Sequence, residues 1–425
     1  MFQKNWISRG VAVAAVMGIF TPWVAHASFL DDRQVSLGMR NLYIDRDYKQ
    51  HDAPQSRVGS WTQGFDFRAI SGYTEGTLQF GLDLSAQYAY RLDGGGGRGP
   101  DSIIPYDASK GEQVRDYGRA ALTGKVRYNK TELKVGELRP TLPVAYIDDS
   151  RQLITTYHGV QLESKEVNNL TLTGGQFTRI STRESSNTEK IYLGNGRDPE
   201  HRSDALNFGG ATYVLTPNLS ITYFFGQLED IYKQHYLGLT YHHDLGAGYR
   251  LKTDLRYFDN NEDGKALYGN VDNRSYGILS SLNKGAHTFG LGYQRMLGEL
   301  AFPLMNGYAP QPYLVNWSTV GFFKPNEKSW QLRYDYDFAA VGVPGLKLMT
   351  RYLRGSGIDR GDNALDQNVE SERNINFSYV VQSGPFKDVG VEWRRIDVKT
   401  RFGNGSTSGA DYQENRLITT YTWKF

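Results

Sequence analysis

Apolar and polar residues alternate one for one along much of this chain, and the alternation is cleanest at its C-terminus. In ENRLITTYTWKF, Leu417, Thr419, Tyr421, Trp423 and Phe425 fall on one face while Arg416, Thr420, Thr422 and Lys424 fall on the other. A period of two predicts a β-strand with different surroundings on its two sides. An apolar, aromatic-rich face opposite a basic one fits two settings: the edge of a soluble sandwich, or the closing strand of an outer-membrane barrel with lipid outside and water inside.

The spacing of the alternating segments separates these settings. Connections switch regularly between tight and long. GYTEGT at 72–77 is tight, 91–119 is long, NKTE at 129–132 is tight, 139–157 is long, EVNN at 166–169 is short and 181–204 is long and polar. After TPN at 216–218, the weak loop at 229–232 and GAG at 246–248 come a loop at 259–273, KGA at 284–286 and the very long 298–327. The series closes with VGVPG at 341–345, a loop at 355–371, SGPFKD at 383–388 and a Gly-Ser loop at 403–411. Short turns at one rim and long loops at the other predict an all-β, transmembrane antiparallel barrel of about 18 strands, wide enough for an aqueous channel. The segment YLVNWSTVGFF at 313–323 also reads as a strand, but it would make the count odd and is assigned to the long loop. Nothing divides residues 28–425, which are expected to form one domain.

Composition then fixes the compartment. Lys4 and Arg9 precede the apolar run VAVAAVMGIF, and Ala25-His26-Ala27 supplies small residues at the positions a signal peptidase reads, so residues 1–27 are expected to be a cleaved export signal. Removing those two cations from 48 Lys plus Arg leaves 46 against 46 Asp plus Glu, a neutral mature chain for which nucleic acid is not an expected partner. Cysteine is absent, which excludes disulfides and thiolate metal sites. Negative mean hydropathy, with 29 Tyr and 47 Gly, is too polar for helical membrane spans.

Strand parity turns inward what a pore would use. In YRLKTDLRYF, Tyr249, Leu251, Thr253, Leu255 and Tyr257 face out, so Arg250, Lys252, Asp254 and Arg256 face in. The same reading turns Lys125, Arg127 and Lys134 inward, together with Arg68, Arg333, Lys347, Arg351, Arg394 and Arg416. Any large barrel fills its interior with polar groups, and Asp66, Asp254, Asp335 and Asp337 are inward partners for these cations. Guanidinium groups left unpaired favour anions, and their planar fork matches a carboxylate. A series of weak sites of this kind moves an anion stepwise without trapping it.

Two outer loops are candidates to narrow the pore. Segment 139–159 mixes Pro, apolar and charged residues, and folded into the lumen it would present Asp148, Asp149 and Arg151; packed on its neighbours it would not. Segment 298–327 carries Phe302, Pro303, Tyr308, Pro310, Pro312 and Tyr313, suited to a ring-bearing solute or to an apolar plug beneath the loops.

Several segments in order carry a family resemblance: LGMRNLYIDRDY at 37–48, DDSRQLITTYHGVQLESKE at 148–166, LEDIYKQHYLGLTY at 228–241, EKSWQLRYDYDFAAVGVPGLKLMTRY at 327–352 and YVVQSGPFKDV at 379–389. Over the whole mature chain the sequence resembles the OprD family, the outer-membrane carboxylate channels of pseudomonads. The resemblance implies an eighteen-stranded monomeric pore, often in a loose homotrimer, that takes up small carboxylates by facilitated diffusion through an inward-folded loop and a basic ladder. Carried onto this chain, it assigns Arg40, Arg151, Arg394 and Arg416 to the pore lining. Amino-acid-type members carry basic residues where this chain has Ser378 and Glu392, and with NLTLTGGQFTRIS at 169–181 this leans toward the branch taking aromatic and other monocarboxylates. Arg179 is a further inward candidate.

Enzymatic readings find little support. His158, His201, His235, His242, His243 and His287 are scattered without triad spacing, and no phosphate loop or metal motif stands out, so no cofactor is expected. The partners expected are small carboxylates, outer-membrane lipid and lipopolysaccharide, and the barrel-assembly machinery acting on the strand that ends at Phe425. The competing readings are a basic amino-acid or peptide porin of the same family, a general diffusion porin, and an adhesive barrel with a closed pore.

Overall fold

The computed structural model describes residues 27–425 except 51–52, 54, 95–97, 195–200, 307–309, 362–364 and 404–410. The expected export signal therefore lies outside the described residues but for Ala27, as does Tyr308. A short helix, α1 (Ala27–Asp31), leads into the barrel. Its strands are β1 (Gln34–Tyr48), β2 (Arg57–Ile70), β3 (Leu78–Asp93), β4 (Asp116–Tyr128), β5 (Thr131–Leu138) and β6 (Thr156–Ser164). They continue with β7 (Leu170–Ser181), β8 (Leu206–Thr216), β9 (Leu219–Leu228), β10 (Tyr232–Gly246), β11 (Tyr249–Glu262) and β12 (Asp272–Lys284). The last six are β13 (His287–Leu297), β14 (Lys328–Asp337), β15 (Leu346–Ser356), β16 (Val369–Val380), β17 (Gly390–Arg401) and β18 (Tyr412–Lys424).

All eighteen lie in one antiparallel sheet in which sequence neighbours pair, and β18 returns to β1 in the register Ser36↔Lys424 to Tyr48↔Tyr412. Closure leaves no open edge, so every spanning backbone group has a partner within the sheet. The terminal residue joins it, with the Phe425 amide donating to the Val35 carbonyl at 2.9 Å. Tight turns join the strands at the rim that holds both chain ends. The turn after β12 needs a left-handed residue and uses Gly285, at φ 57°. Segment 313–323 forms no barrel strand.

The outer face is apolar, with Leu255, Tyr257 and Leu417 among the residues that parity assigns to it. Leu82, Leu122, Leu237, Leu255, Tyr257, Phe289, Leu291, Leu332, Trp393 and Leu417 are all exposed, the reverse of a water-soluble sheet. Inside, three long loops turn down into the barrel. The loop between β5 and β6 and the loop between β13 and β14, the two candidates for narrowing the pore, do so; the loop between β3 and β4 joins them. Ile103 and Ile104 of that third loop pack against Leu42, Ile44, Ala89 and Leu153. Phe302 belongs to a separate apolar plug with Tyr157, Phe177, Phe208, Phe224 and Phe258, its ring 5.0 Å from that of Phe258. Of the two roles open to the aromatics of 298–327, Phe302 takes the plug.

Candidate functional site

The infolded loops leave a void of about 480 Å³ against the wall formed by β14 to β18. Its basic side is lined by Arg333, Arg351, Arg394 and Arg416 from the strands and by Arg151 and Arg183 from the loops. Tyr146, Ile147, Pro310, Pro312 and Trp317 also line the void. Both candidate loops thus contribute to the same narrowing.

The strand arginines come in directly opposed pairs. Arg333 faces Arg351 across β14 and β15, and Arg394 faces Arg416 across β17 and β18. Like charges in such positions repel, so the sheet tolerates an arrangement that costs stability. Carboxylates on the same strand faces relieve it in part. Arg333 is bridged by Asp335 at 2.7 Å, Arg416 by Glu414 at 2.5 Å, and Arg394 by Glu392. For Arg394 and Arg416 the contact is made through Nε, and no hydrogen bond in the described structure engages their terminal nitrogens. Glu392, the departure from the amino-acid branch, is thus the direct counter-ion of a lining arginine. Arg351 has no carboxylate partner among the described residues: it donates to the Ser318 hydroxyl at 2.6 Å and the Trp317 carbonyl at 3.3 Å.

Other expected residues hold the loops in place, Arg151 and Asp148 while also bordering the void. Arg40 is pinned behind the 139–155 loop, donating from one nitrogen to the carbonyls of Asp149 and Arg151, the latter at 2.6 Å. Arg151 is buried and donates to the Ser102 carbonyl at 2.9 Å, tying that loop to the one between β3 and β4. Burial lowers its pKa, as do the neighbouring Arg183 and Arg416, yet a guanidinium stays charged over the physiological range. Asp148 is buried against Arg183 at 2.5 Å; burial alone would raise its pKa, but Arg183 and the Ser150 hydrogen bonds hold it below the usual carboxylate range. Asp149 is exposed to the void.

The remaining candidates lie elsewhere. Lys125 and Arg127, with Arg68 and Lys134, line a second void of about 480 Å³ near the tight-turn rim. There Lys125 meets Asp83 at 2.7 Å, while Arg127 lies over the Tyr73 ring at 3.8 Å and donates to Gln79 at 2.7 Å. Lys252 is bridged to Asp254 at 3.1 Å and Arg250 bonds Asn283 at 3.0 Å, both outside the main void. A bulge opposite His158 and Gly159 breaks the alternation of β7, and Arg179 ends exposed and away from both voids. Arg183 and Trp317 were missed because they sit in loops, where no periodicity reports orientation.

A closed barrel with an apolar exterior, infolded loops and a charged lumen defines an outer-membrane channel protein. Residues 27–425 match the family described as outer membrane porin, OprD family, and the chain belongs to it. It is 37% identical over 394 residues to the porin-like protein GalP of Pseudomonas putida, covering 92% of each chain. Among solved structures it is similar to Pseudomonas aeruginosa OpdL, at 47% identity and TM-score 0.82 over 93% of this chain and 100% of that one. It is also similar to P. aeruginosa OpdK solved with vanillate, at 32% identity and TM-score 0.85 over 93% and 100%. The protein is a porin of the bacterial outer membrane through which small solutes pass, and not an enzyme.

Proposed function

We propose that this porin admits small monocarboxylates, aromatic acids of the benzoate or phenylacetate type among them, by passing the carboxylate along the lining arginines. The observation that carries this is the two directly opposed Arg–Arg positions of neighbouring strands at a single void. A fold gains nothing from setting Arg333 against Arg351 and Arg394 against Arg416, whereas an anion held between them is offered several planar donors at once. The lining residues Tyr146 and Trp317 suit a ring attached to that carboxylate. The vanillate bound by OpdK is an aromatic acid, which is consistent with the reading. Lys125 and Arg127 at the tight-turn rim would form a later station toward the periplasm.

The test is single-channel current through the purified protein with benzoate, phenylacetate, glutamate and arginine. Saturable block by the aromatic acids is expected. A response to arginine alone would place the chain with basic amino-acid porins, and no conductance would indicate a closed barrel.

A further inference from the structure

The 298–327 loop ends on a buried charge cluster that plays no part in lining the void. Glu327, its last residue, and Glu370 on β16 are about 1% exposed each. Lys324 supplies the cation: its side chain pairs with Glu370, and its backbone amide donates to Glu327 Oε2 at 3.1 Å. Two carboxylates and one ammonium leave one negative charge too many for a site this deeply buried. The outstanding oxygens are also telling, since Glu327 Oε1 and Glu370 Oε1 are both buried without any other partner.

We propose that Glu327 and Glu370 share one proton, and that this acid–carboxylate pair is a pH-sensitive latch holding residues 317–327 against the barrel wall. A proton between the two Oε1 atoms satisfies both orphaned oxygens and brings the cluster to neutrality. The groups facing it agree. Gly355 on β15 brings no side chain, and a Cβ there would stand 1.7 Å from Glu327 Oε1, so the backbone has been cleared for the carboxyl group. Thr400 of β17, opposite Glu370, is neutral. Arg295 of β13 is spent on the Asn326 carbonyl, and Asp359 bonds Asn326 at 3.4 Å. Glu372, the next inward residue of β16, is occupied by the loop itself, accepting from Ser318 Oγ at 2.5 Å and the Val320 amide at 2.9 Å. Burial first and Glu370 second raise the Glu327 pKa well above the usual carboxylate range.

The consequence reaches the pore through a few residues. Trp317 and Ser318 wall the void, and the chain between them and Glu327 is held by Glu372, Gln294 and the latch. Losing the shared proton leaves two buried anions beside one cation and drives the loop end off the wall.

Single-channel recording in KCl, without any carboxylate solute, tests this independently of substrate. Wild-type protein is expected to conduct quietly at pH 5 and to show loop-closure or opening events several-fold more often at pH 9. Glu327→Gln, which fixes the neutral form, is expected to remain quiet at both. Equal event rates in wild type at the two pH values would overturn the latch, as would a Glu327→Gln channel that keeps the wild-type pH dependence. Glu370→Gln provides a second variant, with the same expectation, should the first not assemble.

Discussion

At the level of single residues, the lining arginines divide into those that offer donors and those that hold the frame. Arg394→Ala removes a charged donor from the void while leaving Glu392 bonded to Asn376 at 2.6 Å, so the barrel should be retained. Carboxylate block is expected to weaken about tenfold, the scale of one hydrogen bond to a charged group, as read from blocking concentrations. Arg151→Ala acts differently because its Nε holds the Ser102 carbonyl. It is expected to weaken block and to raise current noise together, whereas Arg394→Ala changes block alone. Asp148 gives this loop a pH response of its own. Its pKa is depressed in the fold, so its contribution is full above the ordinary Asp range and is lost as pH falls through the lower folded value. Noise from the 139–155 loop should therefore rise on acidification, and Asp148→Asn should show it already at neutral pH.

At the level of elements, strands were legible and loops were not. The residues of β11 and β18 declare their two faces by alternation, and parity alone turns Arg333, Arg351, Arg394 and Arg416 inward, where they border the void. The same rule stops short at β7, because a bulge inserts a residue that a period of two does not anticipate, and Arg179 beyond it lines neither void. Loop residues carry no period at all. The downturn of the β3–β4 loop and the pairing of Arg183 with Asp148 depend on contacts between segments distant in sequence. Two predictions belong here. Gly355→Ala forces its Cβ into Glu327 Oε1 and is expected to cost about 1–3 kcal/mol, measured as earlier loss of the heat-modifiable barrel, with the 298–327 loop more open to protease. Replacing Phe425, 76% exposed at the end of β18, is expected to lower the amount of assembled barrel in the outer membrane without altering the conductance of what assembles.

At the level of the whole molecule, a chain with as many acids as bases after its expected signal concentrates positive charge at one narrowing. The carboxylates are present, but several stand behind the arginines on the same strand faces, as Glu414 does behind Arg416. Charges that face water are screened over about 8–10 Å at roughly 0.1–0.15 M salt. Preference for carboxylates should therefore fall as KCl is raised, measured by reversal potential, and a preference indifferent to salt would assign selection to loop shape instead. The alternating sequence by itself determined the barrel, a strand count of about 18, the rim of each connection and, bulges apart, the face of each strand that turns to the lumen. These follow from a local repeat that every strand states for itself. Only the tertiary structure decided which arginines keep free donors, which loops turn inward and where two glutamates come to share one site. Those outcomes depend on which charged groups meet across the barrel, and no local repeat carries that information.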